Sequence, residues 1–297
     1  MTVRTGSSSI LLVVLIGILW GMNWPVVKIM LTEIPPLTIR AIAFPLAAVM
    51  LLVIAGLKGQ ALRPAKQDLG PMIRTGLFLV FGFNVLTSFG QLITETSKAA
   101  IIAYTMPAMT AILAVVFLKE RLDGRLILAL MMGMTALIVL ASENLVALIS
   151  DPQGPAIMLL AALSWSIGNV SLKARAWSLP PLALTIWFFA FSSLAVWPLV
   201  FLFEPPWEQS WPSTPVLLCM VYHVLGPMVV CYLLWTIALN RLPATIASIA
   251  TLTAPITGVS SSIIILGDPL TWQKTVALSL VVMSIAATLI PKSDRST

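Results

Sequence analysis

The chain has 297 residues, 59% hydrophobic and only 9% charged. Soluble domains carry about 25% charged residues, so this composition excludes an ordinary soluble domain and points to lipid. The net charge of +6 is scattered among loops, which fits the orienting of a membrane protein and not a nucleic-acid footprint.

A bilayer core of about 30 Å needs roughly 20 apolar residues per helix. Only helices and closed barrels satisfy the backbone in lipid, and runs this long and continuous mean helices. Ten spans are predicted, at 10–31, 36–56, 71–92, 99–118, 124–142, 154–172, 182–203, 214–239, 243–266 and 272–290. The first run is too long for a signal peptide and has no A-x-A cleavage pattern, so it reads as a retained helix. It carries Trp20-Gly21-Met22-Asn23-Trp24, ending on Lys28, with Gly17 and Gly21 spaced for close helix approach. Lys28 lies near the helix end, where a long side chain snorkels to the headgroups.

The third span carries Asn84, Thr87, Ser88 and Gln91 at spacings of three and four, one polar stripe that Phe81 and Phe78 continue. A polar stripe in lipid faces protein or water. The bland reading is interhelical glue and the functional one a lined cavity. In the fourth span Tyr104 lies one turn before Pro107, which removes a backbone hydrogen bond and kinks the helix.

The sixth span repeats the first: Trp165, Gly168, Asn169 and Lys173 stand about 145 residues after Trp20, Asn23 and Lys28. The eighth holds His223, which can titrate near neutral pH, and a likely bend at Gly226-Pro227. Its Cys219 and Cys231 lie twelve helical residues apart, about 18 Å, too far for a disulfide. In the ninth, Pro255 precedes Asp268 by thirteen residues, as Pro107 precedes Glu120, and Thr251 lies one turn before Pro255. Corresponding broken helices in two halves point to a transporter binding site. Pro107, Pro255 and Pro227 are therefore the expected hinges.

With the N-terminus cytoplasmic, thirteen basic residues, from Arg4 through Lys119 and Arg175 to Arg295, face inward. Only Arg40, Lys98 and Lys274 then face outward. That bias places both termini in the cytoplasm. Five spans per copy then force opposite topologies. The expected fold is an all-α polytopic membrane protein, ten transmembrane helices as two inverted five-helix repeats, 1–147 and 148–297.

No Asp or Glu lies mid-span, so the usual proton or cation handle is missing, and His223 is the remaining titrating candidate. One His and two distant Cys make no metal site, and neither catalytic residues nor a cofactor is expected. The candidate substrate residues are Trp20, Asn23, Trp24, Asn84, Ser88, Gln91, Tyr104, Trp165, Asn169 and His223. Trp and Tyr stack on a ring, while amides and hydroxyls orient an amino-acid backbone. Aromatic faces can also hold an organic cation.

At Leu19-Trp20-Gly21-Met22-Asn23-Trp24, Met106-Pro107 and Leu118-Lys119-Glu120-Arg121-Leu122 the sequence resembles the drug/metabolite transporter superfamily, in its form with two EamA-type domains. Ala254-Pro255 and Leu266-Gly267-Asp268 are the second-copy counterparts, with Asp268 where the family usually has Glu. Within that superfamily it is similar to bacterial exporters of aromatic amino acids. The resemblance implies an exporter in the bacterial inner membrane, working by alternating access on aromatic or apolar amino acids and related small solutes. With no embedded carboxylate, facilitated movement by a functional monomer is the expectation. The alternatives are a proton-coupled drug or metabolite antiporter, or a membrane-embedded enzyme.

Overall fold

The structure is a computed structural model that describes residues 7–144, 152–241 and 253–289. Much of the expected junction at 143–154, and the start of the ninth span including Thr251, lie outside those residues. Among the described residues there is no strand. The helices are α1 (Ser7–Met30), α2 (Pro36–Leu57), α3 (Lys66–Ile93), α4 (Thr96–Ala103), α5 (Met106–Leu118), α6 (Gly124–Ala141), α7 (Gln153–Lys173), α8 (Pro181–Phe203), α9 (Thr214–Arg241), α10 (Thr253–Leu266) and α11 (Trp272–Leu289).

Five of them, α2, α3, α7, α8 and α9, are long and apolar enough to cross a bilayer, with mean hydropathy from 1.5 to 2.3. Large apolar side chains such as Leu194 and Leu202 stand over 70% exposed on α8. A soluble protein avoids such a surface and lipid solvates it.

Proline sets where several helices begin. Pro35 and Pro36 open α2, Pro180 and Pro181 open α8, and Pro107 sits in the first turn of α5, where its missing N–H costs nothing. The chain breaks at Tyr104 and Thr105, between α4 and α5, just before Pro107. Two long helices also contain π turns, Leu77–Gly82 in α3 and Val224–Cys231 in α9, the second holding Pro227.

The packing is paired. α1 lies along α10 and against α9, whereas α7 lies along α5 and against α3; α2 pairs with α8 and α6 with α11. The two closest approaches to a neighbouring backbone need glycine. A Cβ at Gly21 would stand 2.6 Å from the carbonyl oxygen of Ala254, and one at Gly168 would stand 2.6 Å from Cα of Leu79. No side chain tolerates either distance, so these glycines let backbones touch.

Other devices recur 145 to 148 residues apart. Lys28 Nζ donates to Gln91 O at 2.6 Å, and Lys173 Nζ donates to Leu239 O at 2.9 Å. Both lysines turn inward rather than snorkelling outward, because the unpaired carbonyls at the ends of α3 and α9 attract a cation. Ser213 N–H and Oγ–H donate to Glu33. At the positions 145 residues away the roles are exchanged, and Ser178 donates through both groups to Asp68. These hydrogen bonds hold the exposed Glu33 carboxyl below its ordinary pKa.

The helices carrying the two paired prolines end alike. Glu120 N–H reaches back to Ala114 O at 3.3 Å, and Asp268 N–H to Ser262 O at 3.4 Å. Each closes a Schellman-type turn over a left-handed residue, Lys119 (φ 57°) in one and Gly267 (φ 74°) in the other.

Candidate functional site

The centre of the bundle is aromatic. Trp20 and Trp165, the duplicated tryptophans, meet edge to face at 5.3 Å between ring centroids. Tyr232 and Trp235 from α9 contact both within 6 Å, and Phe83 approaches Trp165 at 4.8 Å. Such pairs contribute about 0.5–1.5 kcal/mol each beyond their burial, so the cluster is a rigid wall. Trp20 Nε1–H donates to Pro227 O, and Trp24 Nε1–H donates to Tyr104 OH, which fixes both indoles.

Beside this wall lies a cavity of ≈ 60 Å³, counted as space open to the centre of a water molecule, room for about four waters. Seven of the ten expected site residues line it: Trp20, Asn23, Trp24, Asn84, Gln91, Tyr104 and Trp165. Ser88 and His223 stand one layer behind, fully buried. Asn169 does not reach it. It is buried between α7 and α9, where its Oδ1 accepts from Trp235 Nε1 at 2.8 Å. The duplicated asparagines thus have different surroundings, although the duplicated tryptophans touch.

The stripe on α3 is real only above its π turn. Asn84, Thr87, Ser88 and Gln91 are all buried, whereas Phe78 is 37% exposed. The extra residue of the π turn rotates what precedes it by about 100° relative to a regular helix, which turns Phe78 outward. Phe83 takes the aromatic place at the cavity instead.

Arg40 is the principal correction. Sequence reasoning counted it among the outward loop charges, but it is 1% exposed and lines the cavity. Its Nε–H is shared between Asn84 O at 3.0 Å and Ser88 Oγ at 2.9 Å, and Nη1 lies 2.7 Å from His223 Nε2. Glu204 positions the helix start that carries it: its carboxylate accepts N–H groups of Leu37 and Thr38 at 3.0 and 2.7 Å and also holds Thr38 Oγ. An anion at a helix N-terminus is favourable, and the first turn of α2 is thereby fixed with Arg40 aimed inward. Among the described residues no carboxylate forms an ion pair with Arg40. The legible signal was the comparison of halves. Pro35-Pro36-Leu37 recurs as Pro180-Pro181-Leu182, so Arg40 stands where the other half has Thr185.

A multi-pass bundle of apolar helices around a mixed aromatic and polar cavity defines the class as a helical membrane protein with an internal solute site. The sequence profile of the EamA-like transporter family matches residues 7–142 and 153–290, and the chain belongs to that family, within the drug/metabolite transporter superfamily. The protein is thus a membrane transporter. Its relatives include the uncharacterized transporter YoaV of Bacillus subtilis, 22% identical over 82% of this chain and 84% of YoaV. A transporter of Archaeoglobus fulgidus is 22% identical over 90% and 93% of the two chains. PagO of Salmonella typhimurium is 29% identical over 56% of this chain and 55% of its own. One crystal structure aligns with a TM-score of 0.76 at 20% identity, covering 95% of this chain and 96% of the other, which shows a shared fold.

Proposed function

We propose that this transporter moves aromatic or apolar amino acids and related small solutes outward across the bacterial inner membrane. It does so by alternating access through the cavity between two inverted five-helix repeats, 1–147 and 148–297. One observation carries the substrate reading: six aromatic side chains, Trp20, Trp24, Phe83, Tyr104, Trp165 and Tyr232, share one cavity with Asn23, Asn84 and Gln91. Rings supply the apolar surface for a side chain, and the polar groups supply orientation. The uncompensated charge of Arg40 disfavours organic cations there.

The inverted arrangement is supported by the recurring devices and by the crossed pairing of α1 with α10 and α7 with α5. The loop charge bias supports cytoplasmic termini. The break at Tyr104–Thr105 before Pro107, the π turn around Pro227, and Pro255 in α10 are the hinges in this reading. A monomer encloses the path, because the cavity is bounded by helices of one chain.

Proteoliposomes holding the purified chain test the proposal directly. Labelled phenylalanine and tryptophan should exchange across the membrane, a branched-chain amino acid more slowly and an organic cation not at all. Absence of exchange for every amino acid would overturn the reading.

A further inference from the structure

Arg40 presents more donors than the protein uses. A guanidinium has five N–H groups and no acceptor. Here Nε–H serves Asn84 O and Ser88 Oγ, and one Nη1–H serves His223. The remaining three have no acceptor among the described residues, and the side chain borders the cavity. A planar fork with free parallel N–H groups matches a carboxylate. Gln91, one turn beyond Ser88 on the same stripe, adds a complementary pole, since its Oε1 is buried and has no hydrogen-bond partner among the described residues. An N–H donor on the solute would satisfy it.

The Arg40–His223 contact restricts the imidazole. Guanidinium only donates, so His223 Nε2 at 2.7 Å must accept and carries no proton. The proton is on Nδ1, which donates to Asn23 Oδ1 at 2.7 Å. The ring is therefore neutral while Arg40 holds it. The groups around it are Asn23 and, further along α1, Lys28; Arg40 from α2; Ser88 and Asn84 behind Arg40 on α3; and Tyr232 on α9 itself. Glu204 lies beyond, on the N–H groups of Leu37 and Thr38.

Resting on the transport reading above, we propose that Arg40 binds the carboxylate of the solute, and that this releases His223 Nε2 to take a proton. The carboxylate neutralises the guanidinium and draws its N–H groups away from the ring. Nε2 then gains a free lone pair and loses a facing positive charge, and a proton from water binds there. Carboxylate and proton enter together, so each carboxylate bound brings one proton to the site, with no embedded acid needed.

The test is calorimetric titration of the full chain in micelles, with 3-phenylpropionate and phenethylamine as probes, in two buffers of different ionisation heat. At about pH 6, near the intrinsic midpoint of imidazole, 3-phenylpropionate should bind roughly 10- to 100-fold more tightly than phenethylamine, as expected for charge-assisted bonds. Its binding should draw up to one proton from the buffer. Arg40→Gln should lose the preference, whereas His223→Gln, which keeps an acceptor for Arg40, should keep the preference and lose the proton uptake. Equal affinity for the two probes, or carboxylate binding without proton uptake, overturns the proposal. Carboxylate binding with proton uptake but no amino-acid exchange in proteoliposomes supports this inference and overturns the transport reading instead. Exchange without a carboxylate preference does the reverse.

Discussion

The two halves of this molecule share their mechanics and differ in their chemistry. Each has a glycine that lets backbones touch, Gly21 or Gly168. Each has a lysine capping a neighbouring helix, Lys28 or Lys173, and a π turn in the helix that carries that cap. Each has a left-handed cap, at Lys119 or Gly267, and two serine–acid clasps join the halves, the first supplying Glu33 and Asp68 and the second Ser213 and Ser178. Yet Arg40, Asn84 and Gln91 correspond to Thr185, Tyr232 and Leu239 in the second half, and most of the cavity wall comes from the first half. In the proposed transport cycle, paired hinges and clasps would serve a motion that must work in both directions. A recognition site needs to be built only once.

The comparison breaks most visibly at Arg40. Arg40→Gln should lower phenylalanine exchange by roughly 100-fold, since charge-assisted hydrogen bonds contribute about 1.5–3 kcal/mol each. Thr185→Val, at the matching place in the other half, should change it by less than about 3-fold, because its hydroxyl bonds only to Thr236 and to the backbone. Equal losses would refute a one-sided site.

The mechanical devices should respond in parallel. Gly21→Ala and Gly168→Ala should each destabilise the protein by about 1–3 kcal/mol through overpacking, read as matched falls in thermal midpoint in detergent. The caps should respond with opposite signs. Lys119→Gly removes a left-handed penalty and should raise stability by about 1 kcal/mol, and Gly267→Ala should lower it by a similar amount. If both caps lose stability, the shared geometry is not what holds them.

The smallest effect concerns the clasp at Glu33. Its carboxyl sits below the ordinary value of 4.5 because Ser213 donates to it. A depressed folded pKa adds stability above the unfolded pKa, and that stability disappears as pH falls through the folded value. Glu33→Gln should therefore lower the thermal midpoint slightly near neutrality, and the gap to the unsubstituted chain should close as pH falls below about 4.5. An unaltered acid limb would show that the clasp is spent in solvent.

Hydrophobic length was readable residue by residue. Most described helices match an expected apolar run with ends within about five positions, from Pro36–Leu57 against 36–56 to Pro181–Phe203 against 182–203, whereas the run at 99–118 is divided between α4 and α5 and the start of the ninth lies outside the described residues. The recurrences of Trp20 at Trp165 and of Lys28 at Lys173 were equally plain. These signals are local, since a bilayer asks only for enough apolar length and an internally bonded backbone. What tertiary structure alone decided was the direction and partnership of individual side chains. Arg40 looked like a loop charge because its three partners, Asn84, Ser88 and His223, come from two other helices. Phe78 left the polar stripe because a π turn, held by helix packing, broke the regular register. Asn169 left the cavity because Trp235 claimed its oxygen. Spans are a property of the chain in lipid, whereas a buried charge acquires its meaning from the groups that meet it, and those were assembled only by folding.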